Sequence, residues 1–232
     1  MSKLNCAVIG LGVGEKHIES YLLLKDCALK AVCDFDSTKL NEIKKKHPNI
    51  YTTKDANEII NSKEIDVISI ASFDNYHAKQ IISSLDNKKH IFVEKPICQT
   101  NDEFKNIISA VNRNPELKLS SNLILRRTPR FRELRNKIKN HDLGNPYYIE
   151  ASYDYGRINK IINGWRGELD FYSVMHGGGI HMLDIITWLV GSKIKKVYAN
   201  GTNISTSKTN FKFFDCISSS LFFENNAIGN VT

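Results

Sequence analysis

The sequence has no long hydrophobic run. No stretch approaches the ~18 apolar residues of a membrane span, and the opening Met1-Ser2-Lys3-Leu4-Asn5 carries no signal-peptide core. A cytoplasmic location without membrane attachment is therefore expected. Pairing signals for cysteine are also missing: Cys6, Cys27, Cys33, Cys98 and Cys216 are odd in number and form no C-x-x-C, which excludes a disulfide scaffold. They read as reduced core residues. The seven histidines are dispersed and no Cys/His cluster has ligand spacing, so no metal is expected. Internal repeats, low-complexity tracts and long linkers are lacking too, so the two halves described below are expected to share a continuous interface with the cleft between them.

What is present is a chain of 232 residues, 41% hydrophobic and 25% charged, with 32 basic against 25 acidic side chains and a formal charge of +7. These proportions exclude disorder and bound the chain at one to two domains. The positive charge raises nucleic acid as a partner. Most of it is scattered lysine, however, and the one basic segment, Arg126 to Lys139, alternates its charges with Phe131, Leu134 and Ile138. One buried stripe with solvent-facing charges is the expected arrangement, and no nucleic-acid partner is expected.

Hydrophobic periodicity predicts strands near 5–9, 28–33, 49–52, 66–71, 90–93 and 117–122. Amphipathic helices are predicted between them near 15–24, 38–47, 55–61, 76–88 and 101–112. Six strands with five crossovers make an α/β doubly wound parallel sheet, a Rossmann domain over 1–123. The rhythm then changes to a basic helix at 130–140, a strand at 146–155, a helix at 179–190, and strands at 194–203, 212–224 and 227–232. Residues 124–232 thus read as an α+β domain with a mainly antiparallel sheet. Its last strand stops soon after the Asn225-Asn226 turn, so the sheet is expected to be cut short, as a truncated product or a natural short form.

The first predicted strand runs into Gly10-Leu11-Gly12-Val13-Gly14 and then a helix, the setting in which backbone amides and a helix N-terminus approach a pyrophosphate. The spacing departs from the dinucleotide fingerprint, because the third glycine comes one residue early and Glu15 stands in its place. Asp34 closes the second strand 24 residues after Gly10, where a carboxylate accepts from ribose hydroxyls and repels a 2′-phosphate, favouring NAD over NADP. Asp36 reads better as a helix cap. The fourth strand opens into Ser72-Phe73-Asp74-Asn75-Tyr76-His77 and the fifth into Glu94-Lys95-Pro96, both at carboxyl ends where an open sheet binds ligands. Pro96 could adopt a cis bond that fixes Lys95.

These residues in this order, and above all Val93-Glu94-Lys95-Pro96, resemble the Gfo/Idh/MocA oxidoreductase family. The resemblance continues through Asn122, Arg126, Gly164-Trp165-Arg166 and Gly177 to Asp184. The Tyr155-Gly156-Arg157 and Gly164-Trp165-Arg166 stretches look most like a branch that handles surface polysaccharides and nucleotide-sugars. The resemblance implies a cytoplasmic NAD-dependent oxidoreductase that moves a hydride between nicotinamide and a hydroxyl or keto carbon of a sugar or nucleotide-sugar. Lys95 and His181 are the implied catalytic pair, with His181 as base. Gly10, Gly12, Val13, Gly14, Asp34, Ser72, Asn75, His77, Glu94 and Lys95 are expected at the cofactor. Lys95, Arg126, Trp165, Arg166 and His181 are expected at the substrate, with Tyr155, Arg157, Tyr172 and His176 behind them. Relatives often carry an Asp four residues before the active-site His, where this sequence has Gly177. They usually run some hundred residues longer and form homo-oligomers through the C-terminal sheet. The rival expectation is a weak or inactive dinucleotide-binding relative that acts as a sensor or assembly partner.

Overall fold

Aliphatic runs alternate with capped helices through the first half of the chain, and the computed structural model, which describes residues 3–232, folds them as a six-stranded parallel sheet. The chain divides into two units, Met1–Asn122 and Leu123–Thr232. The first contains β1 (Leu4–Ile9), α1 (Gly14–Leu23), β2 (Cys27–Cys33), α2 (Ser37–Lys46), β3 (Tyr51–Thr53) and α3 (Ala56–Asn61). It continues with β4 (Val67–Ile70), α4 (Asp74–Asp86), β5 (His90–Val93), α5 (Asn101–Arg113) and β6 (Leu119–Ser121). The strand order is β3-β2-β1-β4-β5-β6. It reverses between β1 and β4, and a sheet that reverses opens a crevice at the carboxyl ends of its strands.

Both faces of this sheet are covered, which is why its strands read as nearly unbroken apolar runs. Ala7, Ile9, Ile68, Ile70, Ile91 and Val93 pack with Ile81, Leu85 and Ile107 on one side. Val8 and Val32 pack with Leu11, Ile18, Leu40 and Ile43 on the other. Each fully buried side chain of this size contributes about 1.5–3 kcal/mol. Helix starts follow local chemistry: the Asp36 carboxylate accepts from the Thr38 amide at 2.8 Å, and Thr100 and Glu103 cap α5 reciprocally. Helices α1 and α4 start without a side-chain cap. In α1 Val13 offers no side-chain acceptor, so the Gly14 and Glu15 amides are left uncapped, while the Lys16 amide donates to the Val13 carbonyl at 2.9 Å.

The second unit contains α6 (Pro129–Lys139), β7 (Tyr148–Ala151), α7 (Ile158–Ile162), α8 (Ile180–Val190), β8 (Ile194–Thr202), β9 (Cys216–Phe223) and β10 (Ile228–Val231). Its sheet runs β7-β10-β9-β8, with β10 parallel to β7 and the other pairs antiparallel. Ile185, Ile186 and Leu189 of α8 pack on Leu221, Phe223 and Val231, and Phe131, Leu134 and Ile138 of α6 close the same core. The basic helix therefore buries the stripe its alternation predicts. On the sheet's other face Tyr148, Tyr198, Phe222 and Ile228 are exposed, and the Lys196 ammonium lies 4.5 Å from the Tyr198 ring centre.

Three expectations change. The strand expected at 212–224 begins only at Cys216, because Phe211 and Phe213 leave the alternating pattern to pack edge-to-face on each other and on Tyr172. The strand expected at 146–155 is confined to Tyr148–Ala151. Not all cysteines are in the core. Cys6 and Cys33 are buried, and burial pushes both thiols up to about 12, but Cys216 is exposed because even-numbered positions of β9 face away from α8.

Candidate functional site

The carboxyl edge of the parallel sheet gathers the loops after β1, β2, β4, β5 and β6. After β1 the three glycines do three different things. Gly10 has φ +93°, and a Cβ there would lie 2.3 Å from the Ala71 carbonyl oxygen, so only glycine lets the turn pack against the backbone leaving β4. At Gly12 a Cβ would meet nothing within 4 Å, so the backbone there is open to an approaching ligand. Gly14 begins α1 and brings it against Val8, whose Cγ1 would lie 2.9 Å from an added Cβ. Tight turn, open approach and helix–strand packing are the three uses of a dinucleotide-binding glycine loop, and the early third glycine performs the last of them. Val13 between them is exposed.

Asp34 is tied into the same loop. One carboxylate oxygen accepts from the Leu11 amide at 2.5 Å and the other from the Asp36 amide at 2.8 Å. The next side chain, Phe35, is exposed and lies 5.8 Å from the Tyr76 ring. This pair of aromatic side chains beside Asp34 carries no signal as a pair in the sequence. Single exposed aromatics carry no signal until the fold brings them together. Ser72 donates to the Gln80 side chain at 2.7 Å, and Asn75 is exposed in the first turn of α4.

Glu94 is the hub of the β5 end. Its Oε1 lies 3.1 Å from Nε2 of buried His17 on α1 and accepts from the Asn122 amide nitrogen at 2.7 Å. Burial alone would raise its pKa. The His17 and Asn122 hydrogen bonds and the charges of His17 and Lys95 outweigh that and hold the carboxyl below its ordinary 4.5. The pairing of His17 with a residue 77 positions away leaves no local pattern in the sequence. Lys95 follows, half-buried, with the Lys95–Pro96 peptide cis. His77 is completely buried. Its Nδ1 lies 2.6 Å from the Pro96 carbonyl oxygen and its Nε2 3.0 Å from that of Ser72, so the ring clasps the loops after β4 and β5 together. It shapes this edge through the backbone of both loops.

A carboxyl held low stabilises the fold above its ordinary range and loses that contribution as pH falls through its depressed value. Glu94→Gln should therefore be less stable than the parent at neutral pH, with the gap closing below about pH 4.5. Urea unfolding at pH 7 and at pH 4 checks this.

In the second unit His181 sits in the first turn of α8, its ring 6.3 Å from that of Tyr153. A single π-helical turn, Met175–Gly179, precedes α8, and such turns concentrate at functional sites. Its glycines are notches for large neighbours. A Cβ on Gly177 would lie 2.1 Å from the Tyr172 hydroxyl, and one on Gly178 would lie 2.5 Å from the Tyr153 ring. Arg126 grips Asp184, one turn beyond His181, through both Nε (2.8 Å) and Nη2. Arg135 donates to the Leu189 carbonyl at 2.8 Å near the helix end. Two of the five N–H donors of Arg126 are thus spent on holding α8. The Arg166 guanidinium lies 4.3 Å from the Trp165 ring centre, so these two expected substrate residues stack on each other.

The family models match in both units. Residues 4–122 match the oxidoreductase family with an NAD-binding Rossmann fold, and residues 131–232 match the GFO/IDH/MocA C-terminal domain. The chain belongs to the Gfo/Idh/MocA family. An oxidoreductase of Bacillus subtilis, YrbE, is 27% identical over 229 residues, covering 95% of this chain and 64% of its own. The myo-inositol 2-dehydrogenase of Thermotoga maritima is 25% identical over 208 residues, 86% of this chain and 58% of its own. The chain therefore spans about six-tenths of the length of these Gfo/Idh/MocA relatives. Among solved structures, scyllo-inositol dehydrogenase from Lactobacillus casei with bound NAD(H) and scyllo-inositol has the same fold. Its TM-score is 0.87 at 20% identity, covering 99% of this chain and 69% of that one.

The first unit is accordingly an NAD-binding Rossmann domain of the Gfo/Idh/MocA type. At Gly177, where the resemblance led to an expected acid, the space a side chain would enter holds the phenol of Tyr172. Among the described residues no cluster of three or more His, Cys, Asp and Glu could hold a metal, and no helix is long and apolar enough to cross a membrane.

Proposed function

We propose that this chain carries out NAD-dependent oxidation or reduction at a CH–OH carbon of a sugar, cyclitol or nucleotide-sugar. The observation that carries the reading is the glycine loop: despite irregular spacing, each glycine has the backbone or packing role a dinucleotide site needs, and α1 offers uncapped amides beside it. Relatives named as inositol 2-dehydrogenases support a polyhydroxylated ring as substrate. NAD, when bound, supplies the two-electron acceptor for the carbon being oxidised. Asp34 accepts from the ribose hydroxyls and opposes a 2′-phosphate. His181, as a neutral imidazole, takes the hydroxyl proton. Lys95 is the group that stabilises negative charge developing on the substrate oxygen. Arg126 keeps His181 in place by anchoring α8 through Asp184.

Titration with NADH and with NADPH, followed by nicotinamide fluorescence, tests the cofactor half. The expected result is NADH binding about tenfold tighter than NADPH, with the preference shrinking in Asp34→Ser. Binding of neither would remove the reading, and NADH binding without turnover on any sugar would favour the inactive relative.

A further inference from the structure

Beside the segment that leads into α8 lies a pocket of about 320 Å³ that the cofactor reading does not use. Four aromatic side chains line it, Phe171, Tyr172, Phe213 and Phe214, together with Asn203 and Lys212. The rings are not loose. Phe213 meets Phe171 and Tyr172 edge-to-face, each at 6.4 Å, and Phe211 braces both Phe213 at 5.5 Å and Tyr172 at 6.1 Å. Phe214 lies against Gly201, where an added Cβ would come within 2.5 Å of its ring. The lining is therefore an aromatic wall of which Tyr172 and Phe213 are braced by other rings, while Phe171, Phe214 and the single cation, Lys212, reach solvent. No acidic residue lines it, and Lys212 makes no ion pair among the described residues.

That composition selects a ligand class. The negative face of an aromatic ring favours the weakly positive C–H edge of a saturated polyol ring. An ammonium without a carboxylate partner favours an anion. The volume suits one ring with one substituent. Tyr172 connects the pocket to the chemistry, because its hydroxyl occupies the space beside Gly177, four residues before His181. We propose that this pocket binds a sugar or cyclitol ring bearing an anionic substituent, carboxylate or phosphate, with Phe213 and Tyr172 as the ring's platform and Lys212 as the anion's partner. The inference rests on the oxidoreductase reading and narrows its substrate from polyols in general to anionic ones.

Isothermal titration calorimetry with glucose, glucuronate, glucose 6-phosphate and UDP-glucose tests it, each in the presence of NADH. At least one anionic sugar should bind about tenfold tighter than glucose. Lys212→Met should erase the difference and Lys212→Glu should invert it, while Phe213→Leu weakens every ring ligand. Whether glucuronate or the phosphates gain most identifies the substituent. Equal affinity for glucose and all three anions, or a preference that survives Lys212→Met, overturns the inference. NADH titration of the same samples separates the two readings: NADH bound with no anionic preference sinks only the pocket, whereas NADH unbound sinks the oxidoreductase reading itself.

Discussion

His181→Gln should lower kcat by about 10²–10⁴-fold while leaving NADH affinity within twofold of the parent. Glutamine keeps much of the side chain's size and a hydrogen-bonding end, but it cannot take a proton at neutral pH. The helix it sits on has independent anchors, the Arg126–Asp184 pair and the Arg135 bond to the Leu189 carbonyl, so the backbone of α8 should not move. The nucleotide loop belongs to the other unit and should be indifferent. Steady-state turnover on the sugar that binds best, paired with the fluorescence titration, gives both numbers. A variant that retains more than a tenth of parental kcat would mean that the proton leaves by another group.

Gly10→Ala should cost about 3 kcal/mol or more of stability and abolish NADH binding. The positive φ is one contribution. The larger one is that the new Cβ faces three backbone atoms, the Ala71 carbonyl oxygen and carbon and the Ser72 nitrogen, at 2.3–2.6 Å. None can rotate away without disturbing the β1–β4 pairing, in which Ile9 stands against Ile70. Gly12→Ala is the informative companion. Its Cβ meets nothing, so stability should stay within about 0.5 kcal/mol while NADH affinity falls, because the methyl group enters the space a pyrophosphate approaches. Urea unfolding and the NADH titration separate the two effects. Unchanged NADH affinity in Gly12→Ala would show that the open face of the loop is not where the cofactor's phosphates lie.

The parallel sheet was legible because its central strands are buried on both faces and three of its five helices, α2, α3 and α5, carry side-chain caps, so local pattern and global fold agree. Asp36 could be read as a cap from its place immediately before Ser37 and Thr38. The second unit was less legible. Its strand pattern is blurred where aromatics answer to each other: Phe211 and Phe213 alternate like strand residues yet belong to the cluster around Tyr172. Glu94 could be placed at the site from its position after β5, but the partners that set its charge, His17 and Asn122, lie 77 and 28 residues away and leave no spacing to read. Gly177 looked like a missing acid. Only the fold shows that the vacancy is filled by a phenol from five residues earlier in the chain.

The close approach of Tyr172 to Gly177 also bears on how such sequences can change. A side chain at 177 requires the Tyr172 phenol to shift, because an added Cβ would meet its hydroxyl, and a small residue at 172 with glycine at 177 leaves a buried void. The two positions are therefore sterically coupled, and either single exchange leaves the packing crowded or hollow. The phenol at 172 and the glycine at 177 are thus one packing unit, and a Gly177→Asp, Tyr172→Ala double variant should recover stability that the Gly177→Asp single variant loses, as urea unfolding would report.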